Sequence, residues 1–108
     1  MYVFKFDKKY ESAINNRSKT ATIRLDKKPI SVGNICELGF VNSNGDCIVQ
    51  NWILIISVKK CRLKYLSKSD YAHHNNLSIN DVLCELQKYY PDVRGNDIVY
   101  VYEFKQCR

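Results

Sequence analysis

The residues with the most chemical potential lie in one short segment, residues 19–24, with the sequence KTATIR. This segment is predicted to open a strand, in which side chains alternate between two faces, so Thr20, Thr22 and Arg24 share one face. That face combines two hydroxyl groups with a fixed positive charge, and the amine of Lys19 enters just before it. These hydroxyl, guanidinium and amine groups could bind a polar, electron-rich ligand and attack it.

Lys19 and Thr22 form a candidate pair of base and nucleophile. A threonine hydroxyl is a weak nucleophile until a neighbouring base removes its proton. A lysine amine can act as that base only where burial or a nearby cation lowers its pKa. Arg24 is a suitable cation, and its guanidinium could also stabilise negative charge that develops on a substrate oxygen. The same spacing also fits a threonine-rich strand flanked by solvated charges, which is common in sheets.

A second polar cluster contains Asp70, His73, His74 and Asn75, at the end of a predicted helix. Histidine is the usual acid or base near neutral pH. The simpler interpretation is an exposed helix end with paired charges. Two adjacent histidines without a third ligand at suitable spacing are weak evidence for a metal. We therefore expect no metal site and no cofactor.

The chain has 108 residues, a length that predicts a single domain over residues 1–108. Its formal net charge is +6. The positive charge favours anionic partners such as RNA or nucleotides. The densest basic run is residues 59–64, which is also typical of a solvated strand edge that discourages pairing between sheets. Tyr89, Tyr100 and Tyr102 lie in amphipathic patterns and are expected to be half-buried in the core.

The five cysteines are widely spaced, odd in number and without a C-x-x-C pair, so the sequence indicates neither a disulfide framework nor a zinc site. Free thiols suit a reducing cytoplasm. The longest apolar run, residues 52–58, is too short to span a bilayer. We therefore expect a cytoplasmic protein without a membrane partner.

Alternating apolar residues predict five strands, and helical spacing predicts three short helices. The strands are expected over 2–6, from 19, over 35–41, from 47 past 60 with a bend or bulge, and over 98–104. The helices are expected over 8–15, over 66–75 and from 78. Asn-Gly within residues 42–46 predicts a hairpin turn. This pattern favours a compact α+β domain whose sheet could close on itself.

The chain resembles the ASCH domain family, within the PUA-like group of small β-barrels. The resemblance rests on five motifs in the same order over nearly the whole chain: NRSKTATIR at 16–24, VGN at 32–34, LSI at 77–79, YP at 90–91 and VYEFK at 101–105. It is greatest to the branch of small bacterial proteins that hydrolyse N4-acetylcytidine. The resemblance implies a small ASCH β-barrel of about five to six strands with short flanking helices.

In that branch the resemblance implies a pocket at the mouth of the barrel, with a threonine nucleophile and a lysine base three residues earlier. These roles fall on Thr22 and Lys19, and Thr20 and Arg24 are then expected to bind the substrate. The family's third site residue is a glutamate, whose position falls on Asn75 in this chain.

Asn75 changes the chemistry of that third position. Asparagine can orient a substrate through hydrogen bonds but cannot exchange a proton near neutral pH. A shift of the register by one or two residues would place His74 or His73 there, so His74 is an alternative third member. Asp70 could reach the pocket only if the helix were placed differently.

Two further departures from the family pattern concern turns. The family's Gly-Asp turn is Gly33-Asn34 here, which keeps the turn chemistry and loses a carboxylate. The family's glycine before the lysine is replaced by residues 16–18, in which Asn16 could take the left-handed conformation.

Two functions follow from these residues. The first is an amidohydrolase that converts an acylated cytosine-type nucleoside into the nucleoside and a carboxylic acid, with Thr22 as nucleophile and Lys19 as base. The second is a non-catalytic RNA- or nucleotide-binding module, which fits Asn75 and the net charge of +6. An interaction domain without either activity is a third possibility. The expected partner is thus a small nucleoside substrate or RNA.

Overall fold

The computed structural model describes residues 2–71 and 78–107. Its strands are β1 (Val3–Asp7), β2 (Ala21–Arg24), β3 (Ile35–Val41), β4 (Cys47–Arg62) and β5 (Ile98–Cys107). Its helices are α1 (Glu11–Asn15), α2 (Lys68–Tyr71) and α3 (Ile79–Gln87), with one-turn 3₁₀ helices at Lys8–Tyr10 and Leu63–Tyr65. The five predicted strands are confirmed. The predicted helix over 66–75 is confirmed only as α2, because residues 72–77 lie outside the described part.

The five strands form one sheet in the order β1-β3-β4-β5-β2. The β1–β3 pair is parallel, and the other three pairs are antiparallel. The sheet curls into a half-barrel that brings its two outer strands, β1 and β2, near each other. Across the gap, Arg24 Nη2 donates a hydrogen bond of 2.9 Å to the Lys5 carbonyl oxygen. This small α+β half-barrel has the architecture that the sequence predicts.

Strand β4 is long enough to pair with β3 along its first half and with β5 along its second half. The register shifts between Leu38 and Gly39 in the first pair and between Ile55 and Ser57 in the second, and such irregularities let a strand bend. The predicted bend is therefore confirmed.

Local signals in the sequence place several of these elements. Asp7 caps the first helical turn, where its carboxylate accepts a hydrogen bond of 3.0 Å from Lys9 N. Ser78 caps α3 by accepting a hydrogen bond of 3.2 Å from Asp81 N. In the hairpin between β3 and β4, Gly45 has a φ of +83°, as the Asn-Gly pair predicts.

Two apolar clusters form the core. The first, on the β1 side, contains Phe4, Phe6, Ile14, Ile30, Cys36, Leu38, Phe40, Ile53, Ile55, Tyr102 and Phe104. The second packs the helices α2 and α3 against β2 and β5, and contains Ala21, Ile23, Leu63, Leu66, Tyr71, Val82, Leu86, Val93, Val99 and Val101. Ala21 and Ile23 thus supply the predicted core face of β2, and α3 is held over the gap between the sheet edges.

The tyrosines divide between the core and the surface. Tyr102 is fully buried, and its hydroxyl accepts a hydrogen bond of 2.7 Å from Lys28 N. Tyr100 is half-buried, as predicted. Tyr89 is 48% exposed, so about half of its surface is buried, but it belongs to neither core cluster. Tyr89 follows the last residue of α3, where the helix no longer packs against the sheet.

Within the described residues, no helix has the length and apolar character that a membrane span requires. The five cysteines are all free, with Cys36 buried and Cys47 and Cys84 exposed.

Candidate functional site

A cavity of about 290 Å³ lies in the gap between β1 and β2, with α3 over it. Three of the four residues predicted from the KTATIR segment line this cavity together, namely Lys19, Thr22 and Arg24. The remaining lining residues are Lys5, Phe6, Asp7, Tyr10, Ile23, Val41, Val82, Glu85, Leu86, Tyr89 and Tyr90. The fold therefore brings the candidate base, nucleophile and cation to one concave site.

Thr22 lies in the middle of β2, where it is 4% exposed and faces the cavity between the two core residues Ala21 and Ile23. Thr20 has a different position. It is exposed, precedes the first residue of β2 and does not line the cavity. Its carbonyl oxygen accepts a hydrogen bond of 2.9 Å from Phe104 N, so the backbone of Thr20 still pairs with β5. A role of Thr20 in substrate binding stays a prediction.

Lys19 is almost completely buried, with 3% of its surface exposed. Its Nζ donates a hydrogen bond of 2.9 Å to the Ala21 carbonyl oxygen and lies 5.0 Å from the centre of the Tyr10 ring. Burial is the main cause that lowers the pKa of Lys19 to about 7, and the charge of Arg24 acts in the same direction. Near neutral pH a large fraction of this amine is therefore neutral and able to accept a proton.

The turn before Lys19 fixes the direction from which the amine enters the site. Arg17 has a φ of +67°, whereas Asn16 has a φ of −86°. The prediction that Asn16 takes the left-handed conformation is thus wrong. Asn16 ends α1 with a backbone hydrogen bond to Ser12, so the chain reverses one residue later. The Asn16 side chain supports the turn by accepting a hydrogen bond of 2.8 Å from Ser18 N.

Arg24 places a fixed positive charge in the cavity wall. Its guanidinium carbon lies 5.0 Å and 4.9 Å from the ring centres of Phe4 and Phe6, a favourable cation–π position. Among the described residues, its buried Nε has no hydrogen-bond acceptor. Burial lowers the pKa of Arg24, but a guanidinium remains protonated in proteins. Its charge is therefore permanent and held in place by β1.

Glu85 of α3 is a cavity residue that the sequence predictions missed. Its carboxylate accepts hydrogen bonds from the Tyr10 hydroxyl, from Lys9 Nζ at 3.2 Å and from Lys88 Nζ at 3.1 Å. The bond from Tyr10 is the main cause that lowers the pKa of Glu85 to about 2. This carboxylate is therefore ionised at any physiological pH, and it orients its neighbours rather than exchanging protons.

A signal for Glu85 is present in the sequence. It follows Val82 by three residues, so these two lie on one face of α3, and Tyr89 comes four residues later, just past the end of the helix. Val82 and Tyr89 belong to the amphipathic pattern that predicts α3. A carboxylate within that apolar face marks a polar site under the helix.

The second predicted cluster contributes nothing to the described cavity. Asp70 accepts hydrogen bonds from Lys59 Nζ at 2.7 Å and from Ser67, as a paired helix end would. Asn75, His73 and His74 lie outside the described residues. In the described ranges, no group of three or more histidine, cysteine, aspartate or glutamate side chains is arranged to hold a metal ion.

Solved structures of the same architecture identify the fold. The ASCH domain of Lactobacillus crispatus JV V101 matches with a TM-score of 0.59 and 19% identity, over 88% of this chain and 68% of that chain. The ASCH protein of Zymomonas mobilis matches with a TM-score of 0.65 and 13% identity, over 95% of this chain and 65% of that one. The chain has the ASCH fold. Protein EF3133 of Enterococcus faecalis V583 matches this ASCH fold with a TM-score of 0.66 and 13% identity, over 99% and 76% of the two chains.

No protein-family model and no curated protein sequence matches the chain. The sequence identities to the solved ASCH structures are low, so these likenesses establish the fold alone. The predicted ASCH fold is therefore confirmed.

Proposed function

We propose that this chain is an amidohydrolase that acts on an acylated cytosine-type nucleoside, such as N4-acetylcytidine. The observation that carries the proposal is a buried lysine, with a pKa near 7, lining the same cavity as a buried threonine three residues later. Neither group is needed there for packing alone, because burying a lysine amine costs free energy. A neutral amine that lines the same small cavity as a hydroxyl is a candidate base for activating that weak nucleophile.

In the proposed first step, the neutral Lys19 amine takes the proton of the Thr22 hydroxyl while Oγ1 attacks the acyl carbonyl carbon. The carbonyl oxygen becomes an oxyanion, and the charge of Arg24 in the cavity wall stabilises it. The bond between the acyl carbon and the exocyclic nitrogen then breaks. That nitrogen receives the proton from Lys19, which releases the nucleoside and leaves an ester on Thr22.

In the second step, water hydrolyses the ester with Lys19 again as the base. The hydroxide equivalent attacks the acyl carbon, the Thr22 oxygen leaves and regains a proton from Lys19, and the carboxylic acid is released. One water is consumed for each amide cleaved, and the enzyme returns to its starting state.

The walls of the cavity suit a flat, polar base. Tyr10, Tyr89 and Tyr90 contribute aromatic surface, on which a pyrimidine ring can stack. The ionised Glu85 can accept a hydrogen bond from a donor on the base or sugar, and its bond with the Tyr10 hydroxyl holds it in place. These groups would orient the acyl carbon toward Thr22.

The test compares two threonines that differ in position. Wild type, Thr22→Val and Thr20→Val are each incubated with N4-acetylcytidine, and the release of cytidine is measured. We expect Thr22→Val to lose at least about a thousandfold in rate, the scale of loss when a nucleophile is removed. Thr20→Val should retain the wild-type rate, because Thr20 lies outside the cavity. Wild-type turnover no faster than that of a Thr22→Val, Lys19→Met double variant would refute the proposal.

The alternative, a non-catalytic RNA- or nucleotide-binding module, is favoured by one observation. Glu85, the carboxylate that α3 contributes to the described cavity wall, is hydrogen-bonded to Tyr10, Lys9 and Lys88. Its pKa is too low for proton transfer near neutral pH. This second function predicts RNA affinity that falls steeply with salt, because phosphate contacts release counterions. Binding of that kind without any hydrolysis would support it over the first.

A further inference from the structure

A second cavity, of about 250 Å³, adjoins the candidate catalytic cavity. Its principal lining residues are Tyr2, Phe4, Lys5, Arg24, Lys28 and Tyr90. Lys5, Arg24 and Tyr90 line both cavities. The two cavities therefore lie next to each other, with these residues between them.

The two cavities differ in charge. The first contains the carboxylates of Asp7 and Glu85 along with its cations. The second is lined by three cationic side chains and by no carboxylate. Within residues 2–71 and 78–107, neither Lys5 nor Lys28 forms an ion pair. The second cavity therefore has a positive potential, which attracts an anionic group.

Hydrogen bonds hold the backbones of the two lysines that line the second cavity. The backbone N–H of Lys28 donates a hydrogen bond of 2.7 Å to the hydroxyl of the fully buried Tyr102, which fixes the position of the Lys28 backbone. Lys5 lies on β1, and its carbonyl accepts the hydrogen bond from Arg24. The residues that line the second cavity thus include one arginine and two lysines, whose guanidinium and ammonium groups are of the kind that bind phosphate oxygens.

We propose that the second cavity binds a phosphate group of a substrate whose acylated base occupies the first cavity. This inference rests on the proposed amidohydrolase function and narrows its substrate class from nucleosides to phosphorylated nucleotides. The phosphate is either the terminal phosphate of a free nucleotide or the phosphodiester next to the modified base in RNA. Of the three basic residues that line this subsite, Lys28 is the one that does not line the catalytic cavity.

The experiment measures kcat/KM for three substrates: N4-acetylcytidine, its 5′-monophosphate and a short single-stranded RNA with one N4-acetylcytidine. We expect at least one phosphorylated substrate to exceed the nucleoside by about tenfold or more, the effect of one good charge-assisted contact. Lys28→Gln should remove most of that advantage and leave the nucleoside within about twofold. The control is Lys27→Gln, since Lys27 is exposed, lines neither cavity and should change neither value.

The pattern across the substrates identifies the source of the phosphate. A preference for both the monophosphate and the RNA indicates a subsite for a terminal or a bridging phosphate. A preference for the RNA alone assigns the subsite to the phosphodiester. Equal kcat/KM for all three substrates, or an equal loss in Lys27→Gln and Lys28→Gln, would overturn the proposal.

Binding measurements test the phosphate subsite independently of the proposed hydrolysis. The affinities of cytidine and cytidine 5′-monophosphate are measured by chemical-shift titration with wild type and Lys28→Gln. Tighter binding of the monophosphate that is lost in Lys28→Gln supports the phosphate subsite even if no acylated substrate is cleaved. Equal affinity for cytidine and its monophosphate refutes the subsite, whether or not N4-acetylcytidine is hydrolysed.

Discussion

Two segments of this chain concentrate basic residues, and the fold gives them opposite environments. In residues 19–24, Lys19 is 3% exposed, and burial lowers its pKa to about 7. In residues 59–64, the side chain of Lys59 is 44% exposed, and its bond to Asp70 raises its pKa. The same side chain is thus a candidate base in one place and a solvated cation in the other. Burial makes the difference.

The strand pairing explains why the environments differ. Strand β2 ends the sheet on one side, yet α3 and β1 cover the gap beside it, so its polar residues face an enclosed cavity. Strand β4 pairs with β3 only as far as Leu54, and the residues after it continue along β5 alone. Lys59 and Lys60 lie on this free stretch and are exposed, as the edge interpretation of the basic run predicts.

The largest expected difference between the two segments is in catalysis. Lys19→Met should reduce hydrolysis of N4-acetylcytidine by about 10²–10⁴-fold, the usual contribution of a general base. Lys59→Met removes the same amine from the other segment and should leave the rate unchanged. The measurement is initial-rate kinetics at pH 8. Equal losses in both variants would show that the two lysines differ in burial but not in function.

The second largest expected effect is on the free energy of unfolding, which Lys19→Met should increase. Between pH 7 and 10.5, an unfolded chain keeps a proton on Lys19 that the folded chain loses, so wild-type stability rises with pH through this range. At pH 7, Lys19→Met should therefore raise the free energy of unfolding by about 1–3 kcal/mol. Urea unfolding at several pH values checks this, and the gain should shrink as the pH rises. A variant less stable than wild type at every pH would contradict the buried, shifted amine.

A smaller effect concerns the pH at which hydrolysis is half-maximal, expected near the pKa of Lys19, about 7, with activity rising above it. Arg24 lowers the pKa of Lys19 and Glu85 raises it. Arg24→Gln should therefore move the midpoint of the pH profile upward and Glu85→Gln downward, each by about one unit or less. Shifts of kcat/KM profiles in the same direction for both variants would exclude Lys19 as the titrating group.

The smallest expected effect belongs to the exposed pair. Lys59 and Asp70 form an ion pair of 2.7 Å at the surface, where such pairs contribute about 0.2–1 kcal/mol and are screened by salt. Lys59→Met should lower the free energy of unfolding by no more than this, and the loss should diminish in 1 M salt. A double-mutant cycle with Asp70→Asn isolates the pair. A coupling well above 1 kcal/mol would mean that this segment is less solvated than its exposure indicates.

Much of the fold could be predicted because its signals are local. The Asp7 cap, the Asn-Gly hairpin and the alternation of β5 each depend on residues close together in the sequence. The placement of Lys19 and Thr22 at one cavity belongs to the same class, since the two residues are three apart. These features could be predicted without knowledge of the tertiary structure.

The rest of the site depends on contacts that are distant in sequence. Glu85 and Tyr10 are 75 positions apart in the sequence, and they form a hydrogen bond because α3 packs over the gap between β1 and β2. The position of Thr20 outside the described cavity lining depends on how distant elements pack around the cavity, which its spacing from Thr22 does not reveal. Periodicity indicates which face a residue lies on, but it does not indicate what the opposite wall of a cavity will contain.

The most direct test of the central claim is the titration of individual lysines by NMR, using the Cε and Nζ chemical shifts of isotope-labelled protein. Lys19→Met and Lys59→Met assign the two signals. We predict that the Lys19 signal titrates near pH 7 and the Lys59 signal above the ordinary lysine value of 10.5. A Lys19 signal that titrates together with Lys59 would contradict the assignment of Lys19 as the base for Thr22.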